Sequence, residues 1–106
     1  MAAPTTAPPI TVPPEVHAFA AESGVAPYLP AVLELTPRVF PTARRFTVLV
    51  EDDPEIANDR HIVFIVEVAL DIPQAQAAEE RWIEGLFACC PAPLVHVFRL
   101  SLDLVP

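Results

Sequence analysis

Between Val50 and Ile62 the chain carries Glu51, Asp52, Asp53, Glu55 and Asp59, closed by His61, its densest run of ionisable side chains. Carboxylates converging in a loop can hold Ca²⁺ or Mg²⁺ through oxygen ligands. Their spacing departs from the EF-hand loop, which needs acidic residues at alternate positions, a central Gly and a terminal Glu. A metal-dependent nuclease would also want a nearby Lys, and the sequence has none. A solvated acidic turn is the simpler reading; a small metal-binding domain or enzyme using the loop 51–61 is the alternative. A second constellation joins Cys89 and Cys90 to His96, a trio that invites zinc. Adjacent cysteines on a helix diverge, however, and no fourth ligand accompanies them, so core thiols and a satisfied histidine are preferred. Neighbouring cysteines are equally unsuited to a disulfide staple across the fold. No motif surrounds Ser23 or Ser101, and Gly24 and Gly85 alone cannot build a phosphate-cradling loop. These residues point to no catalytic centre, no cofactor and no metal site.

The elements that would position these groups follow from periodicity. Residues 1–11 (MAAPTTAPPIT) have no apolar period and read as a disordered or extended Pro-rich arm; a ligand for an aromatic groove is the functional alternative. Residues 12–106 then form one α+β domain. A first helix starts at Pro13–Pro14, with Val16, Phe19 and Ala20 on one face and Gly24 as its stop. A second carries Leu29, Val32, Leu33, Val39 and Phe40, with a kink or end expected near Thr36 because of Pro37. The period then changes to two. Strand 1 spans 44–51, with Phe46, Val48 and Val50 apolar on one side; strand 2 spans 61–70 and is apolar nearly throughout. A third helix, 74–89, is capped by Asp71 or Ile72, with Pro73 at its start. It carries a stripe of Ala75, Ala78, Trp82, Leu86 and Cys89, and Trp82 reads as core. Pro91 and Pro93 end it, and strand 3 spans 94–105 with His96 on its core side. The order α-α-β-β-α-β makes strands 2 and 3 point the same way. Strand 3 lies either beside strand 1, giving the order 2-1-3, or beside strand 2; the first is preferred.

Composition bounds the rest. The 106 residues allow one domain, with a thin stability margin that oligomerisation often supplements. All 6 basic residues are Arg, and with 14 Pro and abundant Ala this suits a GC-rich bacterial coding sequence. The net charge of −8 argues against nucleic acid, whose phosphates reward clustered Lys and Arg. No apolar run approaches the roughly 20 residues that a membrane helix needs. The absence of an evident secretory leader and of a disulfide framework leaves the cytoplasm as the expected compartment.

The segments "VEDDPE", the Trp-bearing helix and "FRLSLDLV" together resemble small bacterial proteins of unknown function, among them members of toxin–antitoxin-like gene pairs. The resemblance covers most of residues 30–105, transfers no site residue, and implies a non-enzymatic interaction protein.

Three helices most easily cover one face of a three-stranded sheet. The other face would expose Leu49, Val63, Ile65, Val95 and Val97 beside Thr47, with Glu67 and Arg99 as a flanking cross-strand pair. Contiguous apolar patches of this kind are uncommon on monomers. The expectation is a homodimer, or a protein partner, bound through Leu49, Val63, Ile65, Glu67, Val95, Val97 and Arg99. A monomer closed by its own first helix or arm is the alternative. A small-molecule ligand is left open.

Overall fold

A computed structural model describes residues 9–57 and 59–106 and has α+β architecture. Of the Pro-rich arm, residues 1–8 lie outside the described residues; Pro9 to Thr11 have no regular secondary structure, and Ile10 packs half-buried against the core.

Helix α1 (Pro14–Glu22) begins where Pro13 and Pro14 place residues without N–H groups in a first turn that has no partners for them. It ends at Gly24, whose φ of 79° suits a residue without Cβ. Val25 N–H donates to the Ala20 carbonyl at 2.9 Å and Gly24 N–H to Ala21 at 3.3 Å, the paired bonds of a Schellman motif. Helix α2 (Leu29–Val39) runs through Pro37 to Val39, so of the kink or end expected near Thr36 the end comes three residues later. Pro37 sits in the last turn, where it removes one amide bond, the one to the Leu33 carbonyl. The Thr36 hydroxyl also donates to the Val32 carbonyl at 2.9 Å.

Strands β1 (Arg45–Asp52) and β2 (Arg60–Val68) form an antiparallel hairpin with Val48 opposite Phe64. Helix α3 (Ile72–Cys89) crosses over to β3 (Phe98–Leu104), which pairs parallel with β2, Phe64 opposite Leu100. Asp71 caps α3 through a reciprocal capping box with Gln74. The sheet order is β1-β2-β3, which corrects the preferred order 2-1-3. A right-handed crossover of one helix most simply returns the chain beside the strand it left.

The third strand is also shorter than its sequence alternation suggested. Residues Ala92–Val97 form a 3-10 helix, with Leu94 N–H donating to the Pro91 carbonyl at 2.9 Å. The cause is a shortage of partners. The register Ile62 to Phe98, extended backward, reaches the first residue of β2 at position 96, so Leu94 and Val95 have no strand to pair with.

Even-numbered residues of the sheet face the helices. Phe46, Val48, Ile62, Phe64, Val66, Val68 and Phe98 join Val16, Val32, Phe40, Trp82 and Leu86 in one contiguous core. Trp82 is 2% exposed and donates its Nε1–H to the Thr36 hydroxyl at 3.0 Å, bolting α3 to α2. Gly85 permits the same approach: a Cβ there would overlap Leu35 Cδ1 and lie 3.0 Å from Cδ2.

Candidate interaction surface

The odd-numbered residues of the sheet form its other face, in four cross-strand rows. Glu51 lies opposite His61; Leu49, Val63 and Arg99 form the next row; then come Thr47, Ile65 and Ser101; the last holds Arg45, Glu67 and Asp103. Leu49, Val63 and Ile65 belong neither to the core cluster nor to the side chains packed against it. Val63 is nonetheless buried to 6% exposure, because it sits on the central strand between Leu49 and Arg99. Leu49, Ile65, Thr47 and Glu67 are half-buried, while Arg45, Glu51, Arg99, Ser101 and Asp103 are exposed. The face therefore has a small apolar centre and charged corners.

Two residues expected on this face are elsewhere. The 3-10 helix carries Val95 and Val97 off the sheet, where Val97 joins the core at 5% exposure and Val95 packs against it. Glu67 and Arg99 do not pair either: Arg99 lies opposite Val63, and Glu67 lies opposite Asp103 and Arg45. The nearest cation to Glu67 is Arg45, with Nε 3.9 Å from Oε2, an exposed contact of small energetic weight.

The acidic loop satisfies itself. Asp53 Oδ1 accepts the N–H groups of Glu55 at 2.8 Å and Ile56 at 3.3 Å, an Asx-type turn. Asp53 N–H donates to the Asp59 carbonyl at 2.8 Å, and Arg60 Nε donates to Asp52 Oδ1 at 2.7 Å. Among the described residues no three His, Cys, Asp or Glu side chains converge as metal ligands would.

His61 at the end of the loop is buried, 4% exposed. Its Nδ1 lies 2.9 Å from the His96 carbonyl, which can only accept, so Nδ1 carries the proton. In the neutral ring Nε2 then has only a lone pair, and it makes no hydrogen bond although Asp59 Oδ1 is 3.1 Å away. That contact becomes an ion pair only when the ring is protonated. The bond to the His96 carbonyl anchors the 3-10 helix to β2. His96 itself, expected on the core side of strand 3, projects an exposed side chain. Cys89 is half-buried and Cys90 buried, both as free thiols. Burial, with the neighbouring Cys89 adding to it, pushes the Cys90 thiol above its ordinary pKa.

Among the described residues, two open clefts lie on the helical side. One, of about 320 Å³, is lined by Val39, Phe40, Val68, Gln74 and Arg81. The other, of about 260 Å³, runs between α3 and β3 along Trp82, Ile83, Phe87, Val95 and Leu100. Ile83 and Phe87 are 43% and 54% exposed and were not singled out from the sequence. Their signal was present as an apolar pair at i, i+4 beside the Trp82 stripe. No described helix is long and apolar enough to cross a membrane. In comparison with known proteins, no family model matches the chain, and no curated sequence or solved structure is similar to it.

Proposed function

We propose that the protein is a small acidic protein–protein interaction module that works through the odd-numbered face of its sheet. The observation that carries this reading is the set Leu49, Val63 and Ile65, apolar residues of neighbouring strands that lie outside the core and inside a frame of charges. A central strand that faced only water on this side would alternate, and β2 instead places Val63 and Ile65 there. Self-association and binding to a different protein both fit this surface. The resemblance to proteins of toxin–antitoxin-like gene pairs points the same way, toward contact rather than catalysis. A cytoplasmic, bacterial setting is part of the same proposal.

The test is site-specific photo-crosslinking in cells producing the full chain. A crosslinker at Ile65 or Leu49 is expected to give discrete protein adducts. One at Glu80, exposed on α3, is expected to give none. Equal labelling from both sites, or none from Ile65 and Leu49, would remove the basis for the proposal.

A further inference from the structure

The corners of the open face alternate in sign around its apolar centre. On β1, Glu51 and Arg45 stand at opposite ends; on β3, Arg99 and Asp103 do the same in the reverse direction. Like charges therefore occupy diagonal corners. Such a pattern is complementary to itself when a second copy is turned over onto it about a two-fold axis lying in the interface, parallel or perpendicular to the strands. The chain as a whole carries −8, yet two of its six Arg frame this face.

Resting on the interaction reading above, we infer that the occupant is a second copy of this chain, packed sheet on sheet about a two-fold axis perpendicular to the strands. The axis parallel to β2 would set Glu67 on the partner's Glu67, a like-charge contact at the middle of one row. The perpendicular axis, passing between the row of Val63 and the row of Ile65, avoids this. It sets Val63 on the partner's Ile65, Leu49 on the partner's Thr47, and Arg45 on the partner's Glu51. Arg99 then lies over the partner's Ser101 and beside the partner's Asp103. Strands of the two sheets run antiparallel and cross at roughly 30°, the aligned mode of sheet packing.

The size of the face sets the strength. Three strands about 4.8 Å apart and seven residues of about 3.4 Å rise project roughly 350 Å². A stable interface buries about 800 Å² per partner, so this dimer belongs to the weak class, with a dissociation constant on the order of 10 µM to 1 mM.

The experiment is sedimentation velocity on the full chain from about 10 µM to about 1 mM, a range set by that dissociation constant. The weight-average mass is expected to rise from the monomer value of 11.5 kDa with concentration. Arg45→Glu and Glu51→Arg should each weaken association at least about tenfold, because each sets two like-charge pairs across the axis. An equimolar mixture of the two variants should recover it, since every pair is then again opposite in sign. Circular dichroism verifies that both exposed substitutions leave the fold intact. A wild type that stays monomeric throughout the range overturns the second copy, as does a dimer indifferent to the charge swaps. Hydroxyl-radical labelling of the same samples separates this from failure of the interaction reading. Labelling of Leu49 and Ile65 in a monomer leaves the face free for a different protein. Protection of both in a monomer shows the chain covering its own face, and both readings fall.

Discussion

Replacing Thr36 with Val tests whether the α2–α3 contact depends on one buried hydrogen bond. Thr36 is 0% exposed, and its Oγ1 accepts Trp82 Nε1–H at 3.0 Å while donating to the Val32 carbonyl at 2.9 Å. Val has nearly the same shape and a similar helix propensity, so the substitution removes the acceptor with little change in packing. The Val32 carbonyl keeps the helical amide of residue 36. The indole N–H, 2% exposed in its residue, keeps nothing. A buried donor left without a partner costs about 1–3 kcal/mol, and the more apolar methyl returns a fraction of that. The expected net loss is about 1–2 kcal/mol, which lowers Tm by roughly 4–15 °C for a domain of this size. Urea unfolding followed by circular dichroism measures it. The informative step is the second arm: in a Trp82→Phe background no donor remains to be orphaned, so Thr36→Val should cost under about 0.5 kcal/mol. A loss of equal size in both backgrounds would refute the hydrogen-bond account and assign the effect to packing at Thr36.

Gly85→Ala gains about 1 kcal/mol of helix propensity but forces Leu35 to move, so it is expected to destabilise the wild type and to stabilise a Leu35→Ala variant; thermal unfolding of the four proteins reads the change of sign. Asp71→Ala removes the acceptor of Gln74 N–H at 2.8 Å and should cost about 1 kcal/mol, measured by urea unfolding, with Asp71→Asn recovering most of it. Cys90, with its raised pKa and 4% exposure, should react with iodoacetamide far more slowly than Cys89 near pH 8, as peptide mapping of partly modified protein would show. The same shift carries a sign for stability: the unfolded thiol ionises at lower pH than the folded one. Stability from Cys90 is therefore complete below the ordinary thiol pKa and declines above it, a decline that Cys90→Ala should abolish in urea titrations at rising pH.

The helices were legible because their ends are written in local chemistry. Asp71, one of the two caps expected for α3, Pro14 at the start of α1 and Gly24 at its end each act within a few residues, and the structure uses all three. The hairpin was legible from the alternation of strand 1 and the β-branched, nearly uniformly apolar run of strand 2 on either side of an acidic turn. Pro37 lies one turn after Leu33, whose carbonyl loses its amide partner, and α2 nonetheless continues two residues beyond it, to Val39. Strand 3 misled for a longer-range reason. Residues 94–105 are β-like throughout, apolar on both faces to Phe98 and alternating after it, but that is a property of side chains, whereas a strand exists only where another strand supplies partners. β2 begins at Arg60, so the register leaves Leu94 and Val95 without partners, and the ladder starts at Ile62 with Phe98. The 3-10 helix that takes up those two residues also carries Val97, which the register would set opposite His61, to the core side.

The strand order was closer to legible than the expected 2-1-3 suggests, and its correction alters the surface itself. Near-uniform apolarity in His61 to Val68 marks a central strand, flanked on both sides, while β1 and β3 alternate as edges do: Leu100, Ser101, Leu102, Asp103. Centrality accounts for part of what the sequence reading ascribed to a partner. Val63, on the central strand between Leu49 and Arg99, is 6% exposed within the chain itself. What centrality does not account for is Leu49, on an edge strand, and Ile65, whose row-mates Thr47 and Ser101 are small and polar and leave it half-buried. The apolar surplus is thus two side chains wide rather than five. A surface of that size holds a partner weakly through burial alone, and the burden of choosing the partner and its orientation passes to Arg45, Glu51, Arg99 and Asp103 around it.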